Sequence, residues 1–128
     1  MPPRLKKLIA ALKKREALPY LITSLVNIRY LTGFAGSFAV LLVHGSGASL
    51  ISDSRYREYA EKNLPRGVAF VLMEKDLVAT LGLLLKKLER PALYLEEHAL
   101  TLSTFLMMKK KLKKVSLAPA GDEVNAIR

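Results

Sequence analysis

Two short stretches hold most of the side chains that could do chemistry. In NIRYLTGFAGS, residues 27–37, a helical run ends at Gly33, and Phe34, Gly36 and Ser37 follow. In DSRYREY, residues 53–59, Asp53, Arg55 and Tyr56 stand close together. Elsewhere the candidates are His44, Ser46 between two glycines, and the pair Glu96 and His98. A serine becomes a nucleophile only beside a base, and Ser37 has no histidine near it in sequence. Glu96 and His98 share one face of an extended segment, which makes a metal pair conceivable. Two ligands at a strand end make neither a closed nor a catalytic metal site, so a histidine among solvated neighbours is the simpler reading. Gly45–Ser46–Gly47 lies between two strand-like runs rather than ahead of a helix. It reads as a hairpin turn, not an anion cradle. Phosphate-loop, nucleophile-elbow and dinucleotide fingerprints are all missing.

Asp53 or Ser54 can cap a helix, and Tyr56, Tyr59 and Ala60 can pack one, so neither role needs a further function. Arg55 fits less well. A cation in a first helical turn opposes the dipole, which makes Arg55 a candidate for binding a carboxylate. Phe34, next to a glycine in a loop, reads as exposed.

The elements that must hold these residues follow from apolar spacing. Leu5, Leu8, Ile9 and Leu12 form the stripe of an amphipathic helix, with Lys6, Lys7, Lys13 and Lys14 around it. LPYLITS is a buried strand with Pro19 near its start, where pairing tolerates it. Ser24 caps a short helix through Leu31, and Gly33 ends it in the left-handed conformation. SFAVLLV and ASLIS pair as a hairpin, and DSRYREYAEKNLP is a helix broken at Pro65 and Gly67. VAFVLM is a strand. Asp76 opens a helix with Leu77, Leu81, Leu84, Leu85 and Leu88 on one face, ended by Pro91. ALYLE is a strand, TLSTFLMMKKKLKK a helix and VSLAP a last short strand. Asp122 then caps a helix that starts with nothing to pack against. The fold class expected is α/β, a mixed sheet of about six strands flanked by helices.

Composition narrows the function classes. The 128 residues, 51% of them apolar, suit one globular domain with a sizeable core. No apolar run approaches the length of a membrane span, and the basic N-terminus has neither a continuous hydrophobic segment nor a cleavage site. A cytoplasmic protein without membrane attachment is therefore expected. Without cysteine there is no disulfide and no thiolate metal site. The lack of glutamine and the abundance of lysine and leucine lean towards a thermophilic source. The net charge of +10 raises the question of nucleic acid. Six of the cations fall between Arg4 and Arg15 and five between Lys109 and Lys114, at faces and ends of amphipathic helices. No aromatics interleave with them to stack bases, so nucleic acid is disfavoured as a partner.

The order S-x-x-N-I-R-Y-L-T-G-F-x-G-S at 24–37, an apolar hairpin, and D-S-R-Y at 53–56 resembles the N-terminal domain of Xaa-Pro peptidases. These are the prolidases, aminopeptidases P and creatinases. The resemblance spans nearly the whole chain. It implies a ribonuclease H-like mixed-sheet domain over residues 1–121, and the start of a linker helix at 122–128. It further implies that catalysis belongs to a C-terminal metallopeptidase domain beyond this chain. There two divalent metal ions (Mn, Co or Zn class) are held by two Asp, one His and two Glu. The expected role of this chain is a non-catalytic one, in a hydrolase acting on peptides with proline at the second position. It would assist a homodimer and wall the substrate pocket, in part that of the partner subunit. Carried over to that wall are Phe34, Gly36 and Ser37, and Arg55 and Tyr56 of the D-x-R-Y motif. Where the family commonly has proline and then an acidic residue after the serine, Leu25 and Val26 stand here. Those two apolar side chains need burial or a partner. The alternative expectation is a stand-alone peptidase-like binding module for an acidic partner of nucleic-acid or histone type.

Overall fold

Leu5, Leu8 and Leu12 are fully buried along one side of the first helix, α1 (Pro3–Lys14), and the lysines between them face solvent. Their placement follows from the 3.6-residue period, which brings every third or fourth side chain to one stripe. A computed structural model of the chain describes residues 1–89, 92–121 and 123–128. The expected stop at Pro91 and the expected cap at Asp122 lie outside them.

Six strands form one sheet: β1 (Tyr20–Ile22), β2 (Val40–His44), β3 (Gly47–Ser52), β4 (Val68–Leu72), β5 (Ala92–Leu95) and β6 (Ser116–Pro119). Their spatial order is β4-β3-β2-β1-β5-β6. β2 runs antiparallel to both of its neighbours, while the β3–β4, β1–β5 and β5–β6 pairs are parallel. The antiparallel insert in an otherwise parallel sheet is thus β2, the first strand of the expected hairpin. The hairpin turn falls at Gly45 and Ser46.

Helices cover both faces. α1, α2 (Leu25–Thr32) and the C-terminal α6 (Glu123–Ile127) pack on the side of Tyr20, Ile22, Leu41, Val43 and Leu50. α4 (Leu77–Lys87) and α5 (Leu102–Lys111) pack on the side of Leu21, Val40, Leu42, Ile51, Leu93 and Leu95. Successive strand residues alternate between these two cores, as the pleat requires. Burying each such leucine contributes about 2 kcal/mol. Between β3 and β4 the chain makes a 3-10 turn, Ser54–Tyr56, and then α3 (Arg57–Asn63).

Several start and stop signals act as read. Ser24 Oγ accepts the Asn27 amide at the head of α2, and Gly33 closes that helix at φ 83°. Asp76 opens α4 by accepting the Ala79 amide, and Thr101, read only as the first residue of its helix, caps α5 through the Thr104 amide. One expectation is corrected. The last helix does have something to pack against: Val124 is fully buried in the α1-side core, and Glu123 pairs with Arg15. A helix of five residues shows little apolar period, so its docking could not be read from its own sequence.

Candidate functional site

The loop after α2 and the turn after β3 meet at one end of the sheet, where β1, β3 and β5 finish and β2 begins. Gly33 supplies the left-handed turn that no branched residue would adopt cheaply. Thr32 Oγ1 then accepts the Phe34 amide at 3.1 Å while donating to the Ile28 carbonyl at 2.7 Å. These bonds turn the next side chain inward. Phe34 is 2% exposed, which corrects the exposed reading. Its ring meets Tyr56 edge-on at 5.3 Å between centroids and Tyr59 at 6.2 Å. An aromatic flanked by small residues can fold back into the core when rings further along the chain receive it.

Gly36 crosses over this cluster. A methyl group there would stand 2.4 Å from Phe34 Cζ and 2.9 Å from Tyr56 Cε1, so only glycine passes. Ser37 is fastened next: its amide donates to the Tyr56 hydroxyl at 3.0 Å, and its Oγ lies 2.6 Å from the same oxygen. The hydrogen bonds from Ser37 hold the Tyr56 phenol below the ordinary tyrosine range. Ser52 Oγ adds a further tie by donating to the Phe38 carbonyl.

Arg55 is not the misfit expected. It lies in the 3-10 turn ahead of α3, not in the first turn of that helix. Its Nε and Nη2 donate to the two oxygens of Asp53 at 2.9 and 2.8 Å, and Asp53 also accepts the Arg55 amide at 3.0 Å. The guanidinium stands 5.1 Å from the centre of the Tyr56 ring. Hydrogen bonding to Arg55 holds the Asp53 carboxyl below the usual carboxylate range, and the same pair raises the arginine. Two donors of the guanidinium are engaged, and the others remain open to a ligand.

All five expected residues therefore come together, in two layers. Phe34 and Gly36 are the inner support, while Ser37, Tyr56 and Arg55 form the outer surface. The arrangement can bind; it contains no nucleophile–base pair, because the Ser37 hydroxyl faces a phenol. Among the described residues no group of three or more His, Asp and Glu side chains is placed to hold a metal ion. Leu25 and Val26 keep surface exposed, Val26 at 65%.

Glu96 behaves differently from the expected solvated strand end. It is 2% exposed and accepts hydrogen bonds from the Ser24 amide and the Asn27 side chain. His98 is exposed. The sequence signal for Glu96 was slight: a carboxylate placed directly after the buried run ALYL.

The sequence profile of the creatinase/prolidase N-terminal domain matches residues 4–128. The chain belongs to that family. Its relatives agree with the fold just described. The N-terminal domain of cytoplasmic peptidase PepQ from Mycobacterium tuberculosis superposes with a TM-score of 0.87 at 28% identity, over 100% of both chains. An Xaa-Pro aminopeptidase structure from Streptococcus pyogenes gives a TM-score of 0.89 at 26% identity, covering 98% of this chain and 95% of that one. An Xaa-Pro dipeptidase from Bacillus anthracis gives 0.88 at 25% identity, with 98% of this chain matching 35% of that one. In sequence, the uncharacterized peptidase YqhT of Bacillus subtilis is 29% identical over 108 residues, 84% of this chain. This creatinase/prolidase N-terminal domain spans 30% of the length of YqhT. Among the described residues, no helix is long and apolar enough to cross a membrane.

Proposed function

We propose that this chain is the non-catalytic N-terminal domain of a metal-dependent Xaa-Pro peptidase, with α6 leading out of it towards the catalytic domain. The Phe34–Ser37 loop and the Asp53–Tyr56 turn form a rigid wall of the substrate pocket, in a homodimer that of the partner subunit. One observation carries the pocket-wall reading: Tyr56 ties down Ser37, Asp53 holds Arg55, and Phe34 braces the loop from beneath. A dinuclear site can supply nucleophile and Lewis acid, but it does not measure peptide length. A preorganised wall bearing a cation and hydroxyls does so at small entropic cost. Phe34 acts here as a brace and does not touch substrate. The two divalent metal ions, of the Mn, Co or Zn class, belong to the following domain, and this chain alone hydrolyses nothing.

The reading frame beyond Arg128 tests this. A following domain with two Asp, one His and two Glu in ligand positions supports the proposal. A stop codon directly after Arg128 contradicts it.

A second reading keeps one specific observation. A groove between the C-terminal ends of α4 and α5 has Leu85, Leu112 and Val115 inside and Lys86, Lys111 and Lys113 at its rim. Among the described residues none of these lysines has an ion-pair partner. A stand-alone module that binds an acidic partner would use it, and its affinity would fall steeply with salt.

A further inference from the structure

The candidate loop hangs from one end of α2, and the other end of that helix is held by a buried polar chain. Glu96 Oε1 accepts the Ser24 amide at 3.1 Å, and Oε2 accepts Asn27 Nδ2 at 2.6 Å. Asn27, also buried, accepts Arg128 Nη1 at 3.0 Å through its Oδ1. These partners fix the amide in one orientation, carbonyl towards the cation and amino group towards the carboxylate. The positive end of α2 and the charge-assisted bonds stabilise a carboxylate in this place. A second tie runs along the same helix, where the Tyr30 hydroxyl donates to the Ile127 carbonyl at 3.3 Å. α2 is thus gripped at its first turn by Glu96, the residue after β5, and along its flank by α6. Its last turn passes through Gly33 straight into Phe34–Ser37.

An apolar contact would hold α2 with less desolvation, but it would tolerate sliding. A carboxylate–amide–guanidinium chain has one bonded geometry. We infer that Asn27 and Glu96 are positioning residues that key the Phe34–Ser37 loop to Arg128, so that the seating of α6 sets where the loop stands. Its meaning for a substrate rests on the pocket-wall reading, whereas the mechanical link does not.

Amide hydrogen exchange on this chain separates the two. The variants are Arg128→Met, Glu96→Gln and the double variant, with Arg128→Lys as the conservative control. The amides of Gly33, Phe34 and Ser37 are suited to the purpose because each has a defined acceptor. Each single variant is expected to speed their exchange about five-fold or more, with Leu41 and Leu42 of β2 changing less than about two-fold. The double variant should go little beyond the larger single one, since both break the same chain. Arg128→Lys, which keeps a donor, should stay near the parent. The inference is overturned if only the first-turn amides of α2 speed up, which would make Glu96 a local cap. It is equally overturned if loop and strand amides speed up together, which would be a general loss of stability. Arg128→Met removes only the outermost member and keeps the test usable should Glu96→Gln fail to fold. Because no peptidase activity is read, the outcome stands apart from that of the pocket-wall proposal.

Discussion

The phenolic oxygen of Tyr56 lies 2.6 Å from Ser37 Oγ and 3.0 Å from the Ser37 amide nitrogen, so one side chain from the turn after β3 closes the loop after α2. Replacing Tyr56 with Phe keeps the ring against Phe34 and removes both bonds. The expected cost is about 0.5–1 kcal/mol of unfolding free energy, the range for hydrogen bonds that water partly replaces. The Ser37 amide should lose its exchange protection, while the strand amides keep theirs. Equal protection of Ser37 in both proteins would show that the tie contributes nothing to the order of the loop.

Gly36 and Phe34 should be coupled. Gly36→Ala drives a methyl group into the Phe34 ring, and Phe34→Leu opens room there. Gly36→Ala alone is expected to cost about 1–3 kcal/mol, as overpacking does. In the Phe34→Leu background the same change should cost clearly less. A double-mutant cycle from chemical denaturation measures the difference. Strict additivity would mean that the backbone moves aside and the ring is not what excludes a side chain.

His44, half-buried at the end of β2, has its pKa lowered by loss of solvation. The unfolded chain, with a histidine near 6.5, then binds more protons than the folded one in the interval below that value. Stability should therefore fall as the pH drops from about 6.5 towards the folded-state pKa, and be unaffected by His44 above it. Unfolding midpoints between pH 7.5 and 5 check this, and His44→Gln should flatten that part of the curve. An unchanged slope in the variant would assign the effect elsewhere.

Val124 tests whether α6 belongs to the domain. Fully buried against the α1-side core, it should cost about 2 kcal/mol on replacement by Ala, from lost burial and a residual cavity. A change below about 0.5 kcal/mol, the level of a neutral surface substitution, would mean that α6 is loosely attached.

Local chemistry was legible in the sequence and remote chemistry was not. Ser24 and Gly33 could be placed, and the next cap narrowed to Asp53 or Ser54, because a cap is decided within three or four residues. The strands and the hairpin followed from runs of apolar residues divided by glycine. Phe34 looked exposed because its neighbours are small, whereas its burial depends on Tyr56 and Tyr59 in a different element. Glu96 looked solvated because its partners, Ser24 and Asn27, stand 72 and 69 residues away. Arg55 looked ill-placed only on the assumption of an α-helical first turn. A 3-10 turn folds its guanidinium back onto Asp53 and removes the conflict.

The central claim is that this surface discriminates among peptides whose bond is cut elsewhere. The most direct measurement is the ratio of kcat/KM for an Xaa-Pro dipeptide to that for a longer peptide beginning with the same two residues. It would be made in the full-length protein for the parent, Arg55→Ala and Ser37→Ala, with unfolding midpoints taken alongside. The account predicts that at least one variant shifts the ratio by about ten-fold while the fold is retained, since lost wall contacts act unequally on the two substrates. Variants that stay folded and keep the parent's ratio would show that this surface is not part of the pocket.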